Sequence, residues 1–163
     1  MEWPTSFYDL RDGKGCPICA EGRPAETERG IRIFSGQVCD AYLQKARIQR
    51  GYTVIIWRGR HVAEPTQLTD QEAASYWLEV LAVARALEKH LRPVKTNYDT
   101  LGNSLPHLHT HLIPRYADDP RPGWPFPFPH EPHQLRDANE LRADASALRA
   151  LLERAAPALP RKA

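Results

Sequence analysis

The run Gly102-Asn103-Ser104-Leu105-Pro106-His107-Leu108-His109-Thr110-His111-Leu112-Ile113-Pro114-Arg115 sets three histidines at alternate positions. In an extended chain alternate residues share a face and rise about 6.6 Å per pair. A strand predicted over 108–113 therefore carries His107, His109 and His111 on one side, with Leu108 and Thr110 on the other. Three imidazoles make poor core material, because each ring holds two polar nitrogens that need partners. The run reads as a histidine-rich surface strand, as a metal site with two or three imidazole ligands, or as a nucleophilic centre. In the last case the central imidazole attacks an electrophile while its neighbours orient it and bind charge. Spacing alone does not separate metal from nucleophile.

Working outward, short β-type segments precede the run: Ile31 to Phe34, Val38 to Leu43, and Tyr52 to Trp57. Ser35-Gly36 and Arg50-Gly51 separate them, which predicts an antiparallel meander. Thr69-Asp70-Gln71-Glu72 is a capping box that opens a helix. Tyr76, Trp77, Val80, Leu81, Ala84, Leu87 and Leu91 give that helix one apolar stripe, and Pro93 ends it. Val94 to Tyr98 adds a strand before the histidine run. Residues 1 to 30 are polar and turn-rich, punctuated by Gly13, Gly15, Gly22 and Gly30. Beyond Arg115 six prolines between 120 and 132 alternate with Trp124, Phe126 and Phe128, so this stretch is extended. A last helix is predicted from about Asp137 to Ala156. The expected class is α+β: an antiparallel sheet of about five strands with one long helix packed on it, plus a C-terminal helix. Two segments are expected, 1–116 as the domain and 117–163 as a proline-rich extension with its helix.

Composition bounds the chemistry. The 163 residues are 42% hydrophobic and 26% charged, which suffices for a core without disulfide staples. Twenty-two basic against 20 acidic residues leave a net charge of +2, against a dedicated nucleic-acid surface. No apolar run approaches the ~20 residues that span a bilayer. The acidic start, Met1-Glu2-Trp3-Pro4, lacks the features of a secretory signal. Three cysteines do not make a disulfide framework. A cytoplasmic protein is expected.

The histidine run resembles the motif of the histidine-triad (HIT) family, in which three alternate histidines are interleaved with apolar residues and followed by two more. Gly102-Asn103-Ser104 stands where that family commonly has Gly-Gln-Ser or Gly-Gln-Thr, and the resemblance extends over about residues 16 to 116. Thr110 departs from it by filling an apolar position, although a β-branched side chain suits a strand. The resemblance implies a HIT-like sheet, a homodimer formed through the long helix and sheet edges, and a small-molecule nucleotide substrate. The implied reaction cleaves at the α-phosphate of a nucleoside 5′-phosphate derivative through a nucleotidyl-histidine intermediate. By the same resemblance His109 is the nucleophile, beside His107 and His111 of the triad. His111 contacts the phosphate or the leaving-group oxygen. Ser104 and Asn103 donate near the scissile bridge, and their plain alternative is turn chemistry before a strand. Gln44 takes the ribose-binding position and Asn97 a phosphate contact. Tyr42 and Ile18 are candidates to sandwich the base, with core packing as the alternative. Pro114-Arg115 resembles the dinucleoside polyphosphate hydrolases more than the branch that favours phosphoramidates.

Cys16-Pro17-Ile18-Cys19 admits a redox reading, which wants the first thiol at a helix N-terminus directly after a strand. Asp9 to Gly15 do not read as a strand. The resemblance implies instead a structural Zn²⁺ held by Cys16, Cys19, His61 and His107, a closed tetrahedral set. Cys39 reads as a buried small hydrophobe, and His90 as a cation favoured by the end of the long helix. His130 and His133 lie in the proline-rich stretch. Trp124, Phe126 and Phe128 cap the nucleotide site, meet a partner, or pack along their own domain. Arg115 either meets distal phosphates or forms an exposed salt bridge. Two rivals stand beside the nucleotidyl reading: a metal-dependent hydrolase with the three histidines as ligands, and a catalytically silent nucleotide-binding module.

Overall fold

A computed structural model describes residues 2–128 and 134–155. Five strands form one sheet: β1 (Gly30–Ser35), β2 (Cys39–Gln44), β3 (Thr53–Trp57), β4 (Lys95–Thr100) and β5 (His109–Arg115). Their order is β1-β2-β3-β5-β4, and every neighbouring pair is antiparallel. The expected meander is β1 to β3. The histidine-bearing β5 then slots between β3 and β4, which places it inside the sheet with hydrogen-bonded partners on both sides. The α+β class and the five-stranded antiparallel sheet agree with the sequence reading.

Helix α3 (Asp70–Leu91) begins with the predicted capping box. The Thr69 hydroxyl accepts from the Glu72 amide at 3.2 Å, and the Glu72 carboxylate accepts from the Thr69 amide at 2.8 Å. Tyr76, Val80, Val83, Ala84 and Leu87 bury its inner stripe against Ile55, Trp57, Leu108 and Leu112. Arg92 closes the helix in the left-handed region at φ 50°, and Pro93 prevents its continuation. Helix α4 (Ala138–Ala155) joins the same core: Leu141, Ala145, Leu148 and Leu152 recur at helical spacing and pack with Ile31 and Ile33.

Two buried carboxylates tie these elements together. Glu79 of α3 accepts from the amides of Gln37 at 2.7 Å and Cys39 at 2.9 Å, so it clasps the β1–β2 hairpin. Gly36 at that hairpin has no room for a side chain, since a Cβ would run into the Glu79 carboxylate. Asp144 of α4 accepts from Arg50 at 2.8 Å, Arg136 at 2.7 Å and His90 at 2.9 Å. His90 is thus a partner of Asp144, where the sequence suggested only a cation at a helix end.

The first 30 residues hold more order than their polar character suggested. They include two short helices, α1 (Thr5–Arg11) and α2 (Pro17–Glu21), neither with a buried residue. Pro17 starts α2, where a missing amide costs nothing. No helix among the described residues is long and apolar enough to cross a membrane.

Candidate active site

Cross-strand partners point to the same side of a sheet. His111 pairs with Val54, and Val54 with Tyr42; His109 pairs with Ile56, and Ile56 with Asp40. His109 and His111 therefore share the face opposite α3, with ring centroids 4.8 Å apart. Thr110 points the other way, into the core, where its hydroxyl lies 2.9 Å from that of Tyr76. A polar residue at this apolar position is accommodated because Tyr76 supplies its partner.

His107 lies just outside the strand, and its ring serves a second group of residues. The strand begins at His109, and the preceding turn directs the His107 ring toward the N-terminal segment. His107 Nδ1 lies 3.5 Å from the Sγ atoms of both Cys16 and Cys19, and His61 Nδ1 lies 3.4 Å from that of Cys19. The ligand atoms of Cys16, Cys19, His61 and His107 all fall within 4.8 Å of one another. His107 Nε2 is 2.9 Å from the Trp57 carbonyl and His61 Nε2 is 3.1 Å from that of Arg11. A carbonyl only accepts, so each Nε2 carries the proton and each Nδ1 turns a lone pair toward the sulfurs. That is the outer-shell arrangement of a histidine metal ligand. Desolvation and the adjacent Cys16 thiol push the Cys19 thiol up to about 11, so a cation is needed to hold two thiolates this close. The donor set fits a tetrahedral zinc-type ion. Cys16 does cap a helix, but the short α1 and a turn precede it, not the strand that the redox reading requires.

The tautomer of His109 is fixed in the same manner. Its Nδ1 lies 2.6 Å from the His107 carbonyl, so Nδ1 holds the proton and Nε2 presents a free lone pair. Burial depresses its pKa against the opposing effect of that hydrogen bond, so the ring is neutral at pH 7. Burial, with His109 beside it, lowers His111 to about 4. His111 Nδ1 lies 2.7 Å from the Tyr52 hydroxyl, a contact that no local sequence pattern announces.

Around this pair the predicted residues divide. Asn103 and Ser104 are exposed on the loop that leads to His107. Gln44 is half-buried at the end of β2 on the histidine face, with its amide donating to the Tyr42 carbonyl at 3.0 Å. Ile18 is half-buried on α2. Tyr42 is only 2% exposed, its hydroxyl donating to the Pro24 carbonyl at 2.9 Å. It packs under Arg58 and has no open ring face for a base, so its core-packing alternative is the one observed. Asn97 accepts from Arg115 at 2.6 Å. Arg115 does form a salt bridge, but not the exposed one suggested for it. It is buried, ion-paired with Asp119, and donates to the carbonyls of Trp124 at 3.0 Å and Arg121 at 3.1 Å. By this grip it seats the proline-rich segment: Phe126 lies under its guanidinium, and Phe128 packs against His111 at 5.7 Å and Tyr52 at 5.8 Å. Trp124 remains 64% exposed. Cys39 is fully buried, as expected, while His130 and His133 lie outside the described residues.

The sequence reading missed a buried charge cluster beside α2. Asp40 accepts from Arg23 at 2.8 Å and Arg58 at 2.9 Å. Burial alone would raise its pKa, but these hydrogen bonds hold it below the usual carboxylate range. The partners are 17 and 18 residues from Asp40, beyond any periodic signal.

The site is thus a sheet-borne pair of neutral imidazoles beside a Cys/His cluster that takes the third histidine of the run. Residues 29–118 match the family model of the HIT domain, and the chain belongs to the HIT family. The hit protein of Bacillus subtilis (strain 168) is 28% identical over 107 residues, covering 63% of this chain and 70% of that protein. A histidine triad protein from Bradyrhizobium japonicum superposes with TM-score 0.66 at 28% identity, over 77% of this chain and 92% of that one. A Zn-bound histidine triad family protein from Mycobacterium smegmatis shares the fold with TM-score 0.58 at 23% identity, over 88% and 94% of the two chains. The family comprises nucleotide-binding hydrolases and transferases.

Proposed function

We propose that the protein cleaves a nucleoside 5′-phosphate derivative at its α-phosphate through a nucleotidyl intermediate on His109. The observation that carries this reading is the 2.6 Å contact of His109 Nδ1 with the His107 carbonyl, which leaves Nε2 with an unshared lone pair on the sheet face opposite α3. In the first step Nε2 forms a bond to phosphorus while the bond from phosphorus to the leaving group breaks. In the second step a water oxygen displaces His109, the P–N bond breaks and the nucleoside monophosphate departs. His111, Asn103 and Ser104 supply hydrogen bonds to the phosphoryl or leaving-group oxygens, and one such donor is worth about 3 kcal/mol. Gln44 and Ile18 line the nucleoside side. A neutral His111 suits a leaving group that departs as a phosphate anion, which supports a dinucleoside polyphosphate over a phosphoramidate.

The same reading gives Zn²⁺ to Cys16, Cys19, His61 and His107 as a structural ion. Bound there it would neutralise the two thiolates and pin the N-terminal segment to the turn before β5. The exposed Trp77, Leu78 and Leu81 on α3 and Tyr98 on the edge strand β4 support a homodimer in this reading. Three free cysteines suit a reducing, cytoplasmic setting.

The test is intact-mass analysis after rapid mixing with diadenosine polyphosphate or adenosine phosphoramidate and a neutral quench. An adenylyl-sized adduct is expected in the wild type and not in His109→Gly. Turnover that survives His109→Gly and vanishes with a chelator would sink this reading in favour of metal-dependent hydrolysis. Nucleotide binding without turnover would leave a silent binding module.

A further inference from the structure

Tyr52 opens toward β3 one residue before the strand and is 7% exposed. Its ring stacks on that of His111, with centroids 5.8 Å apart and planes 20° from parallel. Among the described residues the phenol oxygen has one hydrogen-bond partner, His111 Nδ1 at 2.7 Å. Burial pushes the phenol up to about 12, so it keeps its proton at neutral pH. A buried hydroxyl without an acceptor carries a desolvation penalty. Were Nδ1 protonated, the Tyr52 proton would have no acceptor, so the hydroxyl donates and Nδ1 accepts. On a neutral imidazole the ring proton then sits on Nε2.

We propose that Tyr52 is a positioning residue that holds His111 as an Nε2–H donor, in the tautomer opposite to that of His109. Side by side on β5, one imidazole presents a lone pair and its neighbour presents a proton. Nucleophile and donor are thereby distinguished by their second nitrogens alone: a main-chain carbonyl for His109 and a phenol for His111. Phe128 completes the arrangement. It packs against both the Tyr52 and His111 rings, and Phe126 backs it at 5.4 Å. The segment that carries these rings is seated by the buried Arg115, so water is kept from the Tyr52–His111 bond. That segment lies beyond the residues matched by the family model.

What the Nε2–H donates to rests on the nucleotidyl reading above; where the proton sits does not. Long-range ¹H–¹⁵N NMR on histidine-labelled full-length protein, compared with Tyr52→Phe and Phe128→Ala, reads the proton directly. In the wild type His111 is expected to carry its proton on Nε2, with Nδ1 resonating as a hydrogen-bonded acceptor. Tyr52→Phe keeps the ring and is expected to move Nδ1 to an unbonded acceptor or to give it the proton. Phe128→Ala, which loses packing only, is expected to retain the bonded Nδ1 signal. With diadenosine polyphosphate, Tyr52→Phe should lower kcat by roughly tenfold to a hundredfold while KM stays within about twofold, as for a donor that matters in the transition state. A proton on His111 Nδ1 in the wild type, or a His111 spectrum unchanged in Tyr52→Phe, overturns the proposal. If the wild type turns over no nucleotidyl substrate, the functional reading fails and the NMR still decides the tautomer.

Discussion

Thr110 stands between two half-buried imidazoles yet directs its side chain to the opposite face of the sheet. Its hydroxyl lies 2.9 Å from those of both Tyr76 and Thr100. Tyr76 is 1% exposed and, among the described residues, has only a 3.5 Å contact with the Ile55 carbonyl besides. Thr110→Val would restore an apolar residue there and remove the acceptor. It is expected to cost about 1–2 kcal/mol, the penalty for a buried hydroxyl left without a good partner. Thermal unfolding should record that loss, while adduct formation at His109 stays unchanged, because the two side chains leave β5 on opposite faces. A drop in adduct yield without a drop in stability would contradict this assignment. The tautomers of His109 and His111 belong to the same scale. Neither was visible in the alternating pattern, because each depends on an atom that pattern does not describe: a carbonyl two residues back, and a phenol 59 residues away.

Elements whose signals are local were legible in the sequence. The three meander strands, the capping box and the α3 stripe each follow from a run shorter than the helix itself. The alternation of histidines was also local: it predicts a strand over 108–113, and β5 runs from His109 to Arg115. The short helices α1 and α2 bury no residue, so no apolar periodicity marked them. Helix α4 shows a different limit. Its Leu141, Ala145, Leu148 and Leu152 stripe is plain, but its docking depends on Asp144 finding two distant partners, Arg50 and His90, beside the nearby Arg136. Burial would raise the Asp144 pKa, yet hydrogen bonds from Arg50, Arg136 and His90 hold it well below the usual carboxylate range. A carboxylate depressed in the folded state stabilises above its unfolded pKa near ~4 and loses that contribution as pH falls below it. Urea midpoints are therefore expected to fall on acidification from about pH 5 to pH 3. Asp144→Asn should flatten that slope. At pH 7 the same change should cost about 3 kcal/mol, since it leaves the buried Arg136 without its counter-charge. An unchanged slope would remove Asp144 as its source.

At the scale of the molecule, the Cys/His cluster joins the N-terminal segment to the turn before β5, and Trp77, Leu78 and Leu81 of α3 are exposed together. One zinc ion per chain is expected by elemental analysis, falling to background in Cys16→Ser. Loss of the ion should lower the melting temperature by about 10 °C, because free energy of metal binding is free energy of folding. Light scattering should give a dimer mass for the wild type and a monomer mass for Leu78→Glu, whose side chain is 42% exposed on α3. A Leu78→Glu dimer would place the interface elsewhere. His107 connects these concerns to the chemistry in an uneven way. Its imidazole serves the cluster, but the atom that orients His109 is its carbonyl, which every amino acid possesses. Saturation mutagenesis should therefore treat the two neighbours as opposites: replacements at 107 select against heat tolerance and spare turnover at permissive temperature, whereas replacements at 109 abolish turnover in proteins that melt normally. That outcome would make robustness and reactivity separately heritable traits, encoded two codons apart.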